Sequence, residues 1–292
     1  MDGLRILGDW GVSACRLWLH DGYGIVATQG GQGIKFTDDP ARAFADMTAG
    51  WREEHGDLPA LLCGTVGANI GWQDASYVLA PAGAADIAHA GITVGNEVSI
   101  LPGTRTEANS FGLPDVMRSE DVQSLGWGRL HDNSDALLCL PGSHTKWVTL
   151  GSARITDFAT SFVGELFDVL VCHTILTRSR ADDRGANAAF MEGVEAGLAH
   201  PAPISGLFHI RARTAQNLDS TSAARDRLSG YLVGADCAAM VRALGRAPDA
   251  VIGDGAVADA YRKALLQMGY DVPLHDGEAC AVAGLVDIAA HL

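Results

Sequence analysis

An apolar strand, a glycine turn and a second apolar strand follow one another in Leu4-Arg5-Ile6-Leu7-Gly8-Asp9-Trp10-Gly11-Val12-Ser13-Ala14-Cys15-Arg16-Leu17-Trp18-Leu19. The same order recurs half a chain later, in Leu137-Leu138-Cys139-Leu140-Pro141-Gly142-Ser143-His144-Thr145-Lys146-Trp147-Val148. Two such turns offer backbone amides, hydroxyls, one carboxylate and two cations, which together can hold a polyphosphate and its metal. If the turns face each other across a cleft, the sequence predicts an enzyme of phosphoryl transfer.

The composition is that of a globular protein. The chain has 292 residues, which is long enough for two domains. Of these residues, 48% are hydrophobic and 19% are charged. Its formal net charge of −14 argues against nucleic acid or an anionic membrane as a partner, because both require a basic face. The sequence shows no secretion signal and no apolar run of about 18 residues, so a cytoplasmic protein is expected.

Asp9 ends the first strand, which opens a predicted meander of strands at about 4–9, 15–20 and 23–28. A carboxylate at that place can hold a hydrated Mg²⁺, while Ser13 and the turn amides, including that of Gly11, bind phosphate and Arg16 binds it in bidentate fashion. The alternative interpretation is an Asp-capped turn at a strand end.

The second turn, whose candidate phosphate ligands are Gly142, Ser143, His144 and Lys146, is the matching site. Taken alone, it also fits a plain polar β-turn, and His144 could either contact phosphate or cap that turn. No Walker sequence occurs in the chain, which excludes a P-loop fold.

Glu120 and Asp121 are the candidate catalytic bases, because a hydroxyl nucleophile needs a carboxylate within reach to take its proton. They lie in a predicted short helix, with Gly126 as its expected end. An acidic first turn placed there for the helix dipole explains them equally well.

Gly64-Thr65-Val66-Gly67 follows a buried strand and leads to Trp72. Such a glycine loop can bind sugar hydroxyls through Gly64, Thr65 and Gly67, with Trp72 packing on the carbon skeleton; a plain connecting loop is the alternative. Arg118, Lys146 and Arg105 are all candidate cations for the carboxylate of the same substrate.

The segment Gly253-Asp254-Gly255 follows a strand and begins a helix, in the manner of a dinucleotide fingerprint. It supports a rival hypothesis, an NAD-dependent oxidoreductase. Only about 40 residues follow Gly253, which is too few for a doubly wound sheet. We therefore favour ATP over NAD as the nucleotide, with its adenosine lying on this loop.

At these motifs the chain resembles the 2-dehydro-3-deoxygalactonokinase family, within the sugar kinase, Hsp70 and actin superfamily. The resemblance runs nearly end to end, and its most specific part is Pro141-Gly142-Ser143-His144-Thr145-Lys146-Trp147-Val148. Other parts are Cys63 to Gly67, Asp115 to Gln123, Gly164 to Phe167 and Leu228 to Ala235. The chain departs from the family in its first turn, where Val12-Ser13-Ala14 keeps one hydroxyl, and at Ser119, where the family has glycine.

The resemblance implies an α/β protein with the actin-like ATPase fold: two ribonuclease H-like domains with mixed five-stranded sheets. The implied domains are 1–132, with the C-terminal helix 278–292 packed back on it, and 133–277. The implied reaction is ATP-dependent phosphorylation, with Mg²⁺, of the C6 hydroxyl of 2-dehydro-3-deoxy-D-galactonate. Asp9 would hold the metal, Glu120 would be the catalytic base with Asp121 second, and Gly253, Asp254 and Gly255 would lie under the adenosine. A non-catalytic nucleotide-binding regulator is a further alternative, and the sequence leaves a homodimer open.

Overall fold

The computed structural model describes residues 3–95, 97–182, 188–200 and 203–292. They form an α/β structure. The strands are β1 (Arg5–Trp10), β2 (Ala14–His20), β3 (Ile25–Gln32), β4 (Ala60–Cys63), β5 (Tyr77–Leu79), β6 (Ile92–Val94), β7 (Val98–Ile100), β8 (Gly103–Thr106), β9 (Asp115–Met117), β10 (Ala136–Leu140), β11 (Thr145–Gly151), β12 (Arg154–Ser161), β13 (Ala250–Ile252) and β14 (Leu274–His275). The helices are α1 (Pro40–His55), α2 (Ala84–His89), α3 (Glu120–Leu130), α4 (Val163–His173), α5 (Ala189–Ala199), α6 (Pro203–Gly206), α7 (Phe208–Ala215), α8 (Thr221–Leu244), α9 (Gly255–Gln267) and α10 (Gly277–Ala289).

The chain forms two compact units. The first comprises residues 1–136, 148–159 and 276–292, and the second comprises 137–147 and 160–275. The domain division inferred from the family resemblance, at 132/133 and 277/278, stays a prediction. Among the described residues, no helix is long and apolar enough to cross a membrane.

The first unit contains a mixed sheet in the order β3-β2-β1-β4-β7-β6. Its predicted opening meander is confirmed, since β1 pairs antiparallel with β2 and β2 with β3. The expected number of five strands is wrong for this sheet, which has six. At its edge, β6 and β7 pair antiparallel, with Gly95 at a positive φ of 58° after β6.

The core of this sheet is apolar on both sides of β1 and β4. Ile6, Trp10, Leu17 and Leu62 are fully buried, and α1 covers the cluster with Phe44. Asp39 begins α1 by accepting a hydrogen bond from the amide of Arg42, with proline at the next position.

A second mixed sheet has the order β12-β11-β10-β13-β14, and therefore the five strands expected. In it, β10 runs parallel to β13, and β13 parallel to β14. A third sheet of three short strands, β5-β8-β9, was not predicted.

Two helices of the first unit cross with their backbones in contact. A Cβ added at Gly126 of α3 would overlap the carbonyl oxygen of Cys280 in α10, and one added at Gly284 would overlap the carbonyl oxygen of Val122. Gly126 was expected to end its helix, which instead runs on to Leu130. The glycine therefore permits close helix packing rather than terminating the helix.

The same device recurs in the second unit, between α5 and α8. A Cβ at any of four glycines would overlap or crowd the backbone of the opposite helix: Gly193, Gly197, Gly230 and Gly234. The longest helix of the chain is thus held against α5 by backbone contact rather than by large side chains.

We expect Gly126→Ala to lower the free energy of unfolding by about 3 kcal/mol, because the added methyl group has no space between α3 and α10. Gly50→Ala is the matched control. Gly50 lies on the exposed side of α1 with nothing within 4 Å of an added Cβ, so alanine there should stabilise the protein by about 0.5–1 kcal/mol. Urea unfolding of both variants tests this, and equal shifts would contradict the close helix crossing.

Candidate active site

The parallel pairing of β1 with β4 places Asp9 beside Gly64. Asp9 is paired with Cys63, so both strands end at the same edge of the sheet, where α/β proteins bind ligands. Gly64 has a φ of 99°, and a Cβ there would lie 2.9 Å from Asp9 Oδ1. Glycine at this position therefore leaves the Asp9 carboxylate its space.

The first turn is a tight hairpin between β1 and β2. The amide of Gly11 donates to the carbonyl of Ala14 at 2.9 Å, and Arg16 lies opposite Asp9 in the strand pairing. Ser13 and Arg16 are exposed, and Gly11 is half-buried. Hydroxyl, guanidinium and carboxylate are thus brought together within one hairpin.

The carboxyl group of Asp9 is shielded from water. Burial raises its pKa, and the nearby Ser119 hydroxyl, the Arg16 cation and the Cys63 thiol each act to lower that pKa. Ser119 Oγ donates to Asp9 Oδ1 at 2.8 Å. Burial is the largest of these effects, so a cation bound nearby would stabilise the charged form of Asp9.

Glu120 and Asp121 begin α3, but they have different surroundings. Glu120 is half-buried, and its Oε2 accepts the amide of Arg118 at 3.2 Å. Asp121 is fully buried. Its Oδ1 accepts the amides of Ser119 and Val122, and its Oδ2 accepts from Thr104 Oγ at 3.0 Å. Burial raises the pKa of Asp121 to about 6, against these hydrogen bonds. The burial argues against Asp121 as a group that a substrate can reach.

Arg118 lies just before these acids, with its guanidinium 4.5 Å above the ring of Tyr77. Nη2 donates to the carbonyl of Ser76 at 2.8 Å, and Nη1 lies 3.4 Å from that of Leu101. A Cβ at Gly67 would come within 2.8 Å of Nη1, so Gly67 makes room for this side chain. The Arg118 cation is consequently held in one orientation.

The rest of the predicted substrate loop is partly packed into the core. Thr65 begins a short 3₁₀ turn, Thr65–Gly67, and is half-buried. Trp72 packs against Phe44, with ring centroids 5.8 Å apart. This contact belongs to the core of the first unit, which favours a structural role for Trp72 over the expected packing on a sugar.

In the second unit, Gly142 and Ser143 form the turn between β10 and β11. Gly142 is half-buried and Ser143 is exposed. Helix α4 begins against them, since a Cβ at Gly164 would lie 2.6 Å from the carbonyl oxygen of Gly142. His144 Nε2 lies 2.6 Å from Glu165 Oε2, and its ring stacks on Phe162 at 5.2 Å.

Lys146 was expected in the second turn as a phosphate ligand, but its side chain is not exposed there. Its side chain is buried, and Nζ donates to Thr160 Oγ1 at 2.8 Å. The first four residues of β11 are all buried, so both faces of the strand are covered where Lys146 lies. A direct contact with phosphate is thereby disfavoured in this conformation.

The Gly253 loop lies beside the second turn, because β10 and β13 are parallel neighbours. A Cβ at Gly253 would lie 3.8 Å from the carbonyl oxygen of Pro141. Gly253 and Gly255 have φ values of 147° and 68°, and Asp254 makes no side-chain cap for α9. Backbone amides at the start of α9 are thus placed next to Gly142.

Sequence reasoning missed three polar residues that support these sites: Ser119, Thr104 and Asp236. Asp236 is a buried carboxylate that accepts hydrogen bonds from Trp147 Nε1, the Tyr261 hydroxyl and Ser161 Oγ. Burial raises the pKa of Asp236. No local pattern marks such residues, because their partners are up to 110 positions away along the chain. No group of three or more metal-ligating side chains occurs among the described residues.

Comparison with known proteins gives concordant results over the whole chain. The family model described as 2-keto-3-deoxy-galactonokinase matches residues 9–288. The 2-dehydro-3-deoxygalactonokinase of Escherichia coli (strain K12) is 32% identical over 285 residues, covering 96% of both chains. A Rhizobium meliloti (strain 1021) protein assigned as 2-dehydro-3-deoxygalactonokinase DgoK1 is 33% identical over 288 residues, covering 95% of this chain and 94% of its own.

Solved structures agree. A crystallised Sinorhizobium meliloti protein assigned to the same activity superposes with a TM-score of 0.84 at 32% identity, covering 98% of each chain. The activator of 2-hydroxyisocaproyl-CoA dehydratase from Clostridium difficile, solved with ADPNP, has a TM-score of 0.50 at 11% identity over 99% of this chain and 94% of its own, a likeness of fold alone. The predicted actin-like ATPase fold is confirmed. The chain belongs to the 2-keto-3-deoxy-galactonokinase family.

Proposed function

We propose that this protein transfers the γ-phosphoryl group of ATP to the C6 hydroxyl of 2-dehydro-3-deoxy-D-galactonate. The observation that carries the proposal is the group of side chains at the carboxyl ends of β1 and β4, where Asp9 lies in a glycine hairpin with Arg16 opposite and Ser119 beside it. Family membership supplies the substrate class, since both curated relatives carry the name of this activity.

Asp9 is our candidate ligand for Mg²⁺. A single carboxylate in a glycine turn fits a metal that keeps most of its water, and the burial that raises the pKa of Asp9 is offset when a cation is near. When held by Asp9, Mg²⁺ would supply charge neutralisation at the phosphate oxygens. Gly11, Ser13 and Arg16 are the phosphate ligands we assign to this hairpin.

Gly142, Ser143 and His144 are the candidate phosphate ligands of the second unit. Their turn lies at the beginning of α4, where backbone amides and the helix dipole favour an anion. Lys146 is assigned a supporting role through Thr160, since its ammonium is buried. Gly253, Asp254 and Gly255 remain our candidates for the adenosine.

Glu120 is our candidate base for the substrate hydroxyl, because Asp121 is fully buried and Glu120 is not. Asp121 instead holds the backbone that carries Ser119. Arg118 is the candidate cation for the substrate carboxylate, and Gly64, Thr65 and Gly67 shape the loop in front of it.

The two alternatives are less favoured. An NAD-dependent oxidoreductase does not agree with the family model or with the two relatives, all of which carry the name of a kinase. A non-catalytic regulator would not need a half-buried carboxylate at the place of Glu120. The cytoplasmic location, the homodimer and the assigned domain boundaries stay predictions.

The substrate assignment predicts ADP release that depends on a 2-keto-3-deoxy sugar acid. A coupled assay over a panel of hexonate-derived keto acids, with ATP and Mg²⁺, measures it directly. We expect the highest kcat/KM with 2-dehydro-3-deoxy-D-galactonate and no turnover with simple hexoses. Nicotinamide-dependent absorbance change without ATP consumption would contradict the proposal.

Glu120→Gln should lower kcat by roughly 10²–10⁴-fold, because the side chain keeps its shape but no longer accepts the hydroxyl proton. The affinity for MgADP, measured by calorimetry, should stay at the parental value. Glu53→Gln, on the exposed face of α1, is the matched control and should leave kcat unchanged. A Glu120→Gln enzyme with parental kcat would exclude this residue as the base.

Asp121 predicts a pH dependence of stability. Its pKa is about 6 in the folded protein and 3.8 in a model compound, so the folded state favours the protonated form. The contribution of Asp121 to the free energy of unfolding is therefore largest below pH 3.8, where its carboxyl group is protonated in both states. It is lost as the pH rises through about 6. The loss is at most about 3 kcal/mol, since one pKa unit corresponds to about 1.4 kcal/mol.

Asp121→Asn removes this titration and keeps a similar shape. We expect the difference in melting temperature between variant and parent to shift in favour of the variant as the pH rises from 4.5 to 7. Arg118 and Cys63 are ionisable neighbours of Asp121, and both are kept in the variant. Parallel pH profiles would show that Asp121 does not titrate in this range.

A further inference from the structure

Ser119 has a backbone conformation that side chains rarely adopt. It joins β9 to α3 with a φ of 90° and a ψ of −46°. The left-handed side of φ space is open to glycine but costs other L-residues free energy, because Cβ crowds the following carbonyl. A serine at this point therefore requires something in the fold to hold it.

The groups that hold it lie on both sides of Ser119. Its amide donates to Asp121 Oδ1 at 3.0 Å, and its carbonyl oxygen accepts the amide of Gln123 at 3.0 Å. Asp121 itself is fixed by Thr104 Oγ and by the amide of Val122. The conformation of Ser119 is consequently imposed by a buried carboxylate and by the first turn of the helix.

The hydroxyl of Ser119 does not cap α3, although Ser119 immediately precedes that helix. A serine before a helix ordinarily caps it by accepting an amide of the first turn, and Ser119 makes no such bond. Its Oγ instead donates to Asp9 Oδ1 at 2.8 Å. A Cβ at Gly64 would lie 2.9 Å from both of these oxygens, so the chain leaves space at Gly64 for this hydrogen bond.

We propose that Ser119 is a positioning residue, which orients the Asp9 carboxylate for metal-nucleotide binding at the cost of a strained backbone. This inference rests on the proposed role of Asp9. The buried Asp121 acts through the same link, because it holds the backbone that aims the Ser119 hydroxyl. Two hydrogen bonds of Ser119 thereby connect the buried carboxylate of Asp121 to that of Asp9, which is assigned to the metal.

Two substitutions separate the hydroxyl from the backbone. Ser119→Gly and Ser119→Ala both lose the hydrogen bond to Asp9, but only glycine relieves the strain. We expect both variants to bind Mn²⁺-ADP about tenfold more weakly in calorimetry, since hydrogen bonds to charged groups are of that strength. Ser119→Gly should melt roughly 2–4 °C higher than Ser119→Ala.

Ser152→Gly is the matched control. Ser152 also has a positive φ, 53°, in an exposed hairpin turn of the same unit. The same substitution there should relieve strain and leave the affinity for Mn²⁺-ADP at the parental value. A loss of affinity in this control equal to that of Ser119→Gly would overturn the proposal.

A double-mutant cycle with Asp9→Asn tests whether Ser119 acts through Asp9. In that background, Ser119→Gly should change the Mn²⁺-ADP affinity by less than twofold. A parental affinity in Ser119→Gly alone, a full tenfold loss in the Asp9→Asn background, or a parent that binds no Mn²⁺-ADP would each overturn the inference. If the parent phosphorylates no sugar acid but this pattern of affinities is found, the proposed function fails and the role of Ser119 stands.

Discussion

In its proposed role as a metal ligand, the Asp9 carboxylate would have to be charged, yet it lies where burial opposes that charge. The rest of the first unit's site is arranged around this constraint. Parallel pairing of β1 and β4 brings Gly64 to the carboxylate, the absence of a Cβ leaves it space, and Ser119 supplies a donor. A buried Asp121 in turn holds Ser119, so one carboxylate supports the placement of another.

Backbone proximity is the common means by which both units build their sites. In the first unit it brings Gly64 to Asp9, and in the second it brings Gly164 to Gly142 and Gly253 to Pro141. Two helix pairs also cross at glycines, α3 with α10 and α5 with α8. Close backbone packing at fixed points would let short turns present amides and hydroxyls to the anionic ligand proposed for them without long side chains.

The negative net charge of the chain opposes the binding of anionic ligands. With a formal net charge of −14, the protein repels a triphosphate and a sugar acid at long range. Binding then has to come from local groups, such as Arg118, which is held on Tyr77 and two carbonyl oxygens, and Arg16, which lies opposite Asp9 in its hairpin. Family membership and the geometry of these cations point to the same class of anionic substrate.

The sequence by itself determined the α/β class, the opening meander, the family and the location of both glycine turns, because these depend on local patterns of apolar residues, glycines and motifs. It predicted neither the sixth strand nor the continuation of α3 past Gly126, since glycine spacing does not distinguish a helix end from a helix crossing. Only the tertiary structure decided that Asp121 and Lys146 are buried, and that Ser119 donates to Asp9. Burial and hydrogen bonding between distant residues depend on which elements meet, and no local sequence pattern encodes that.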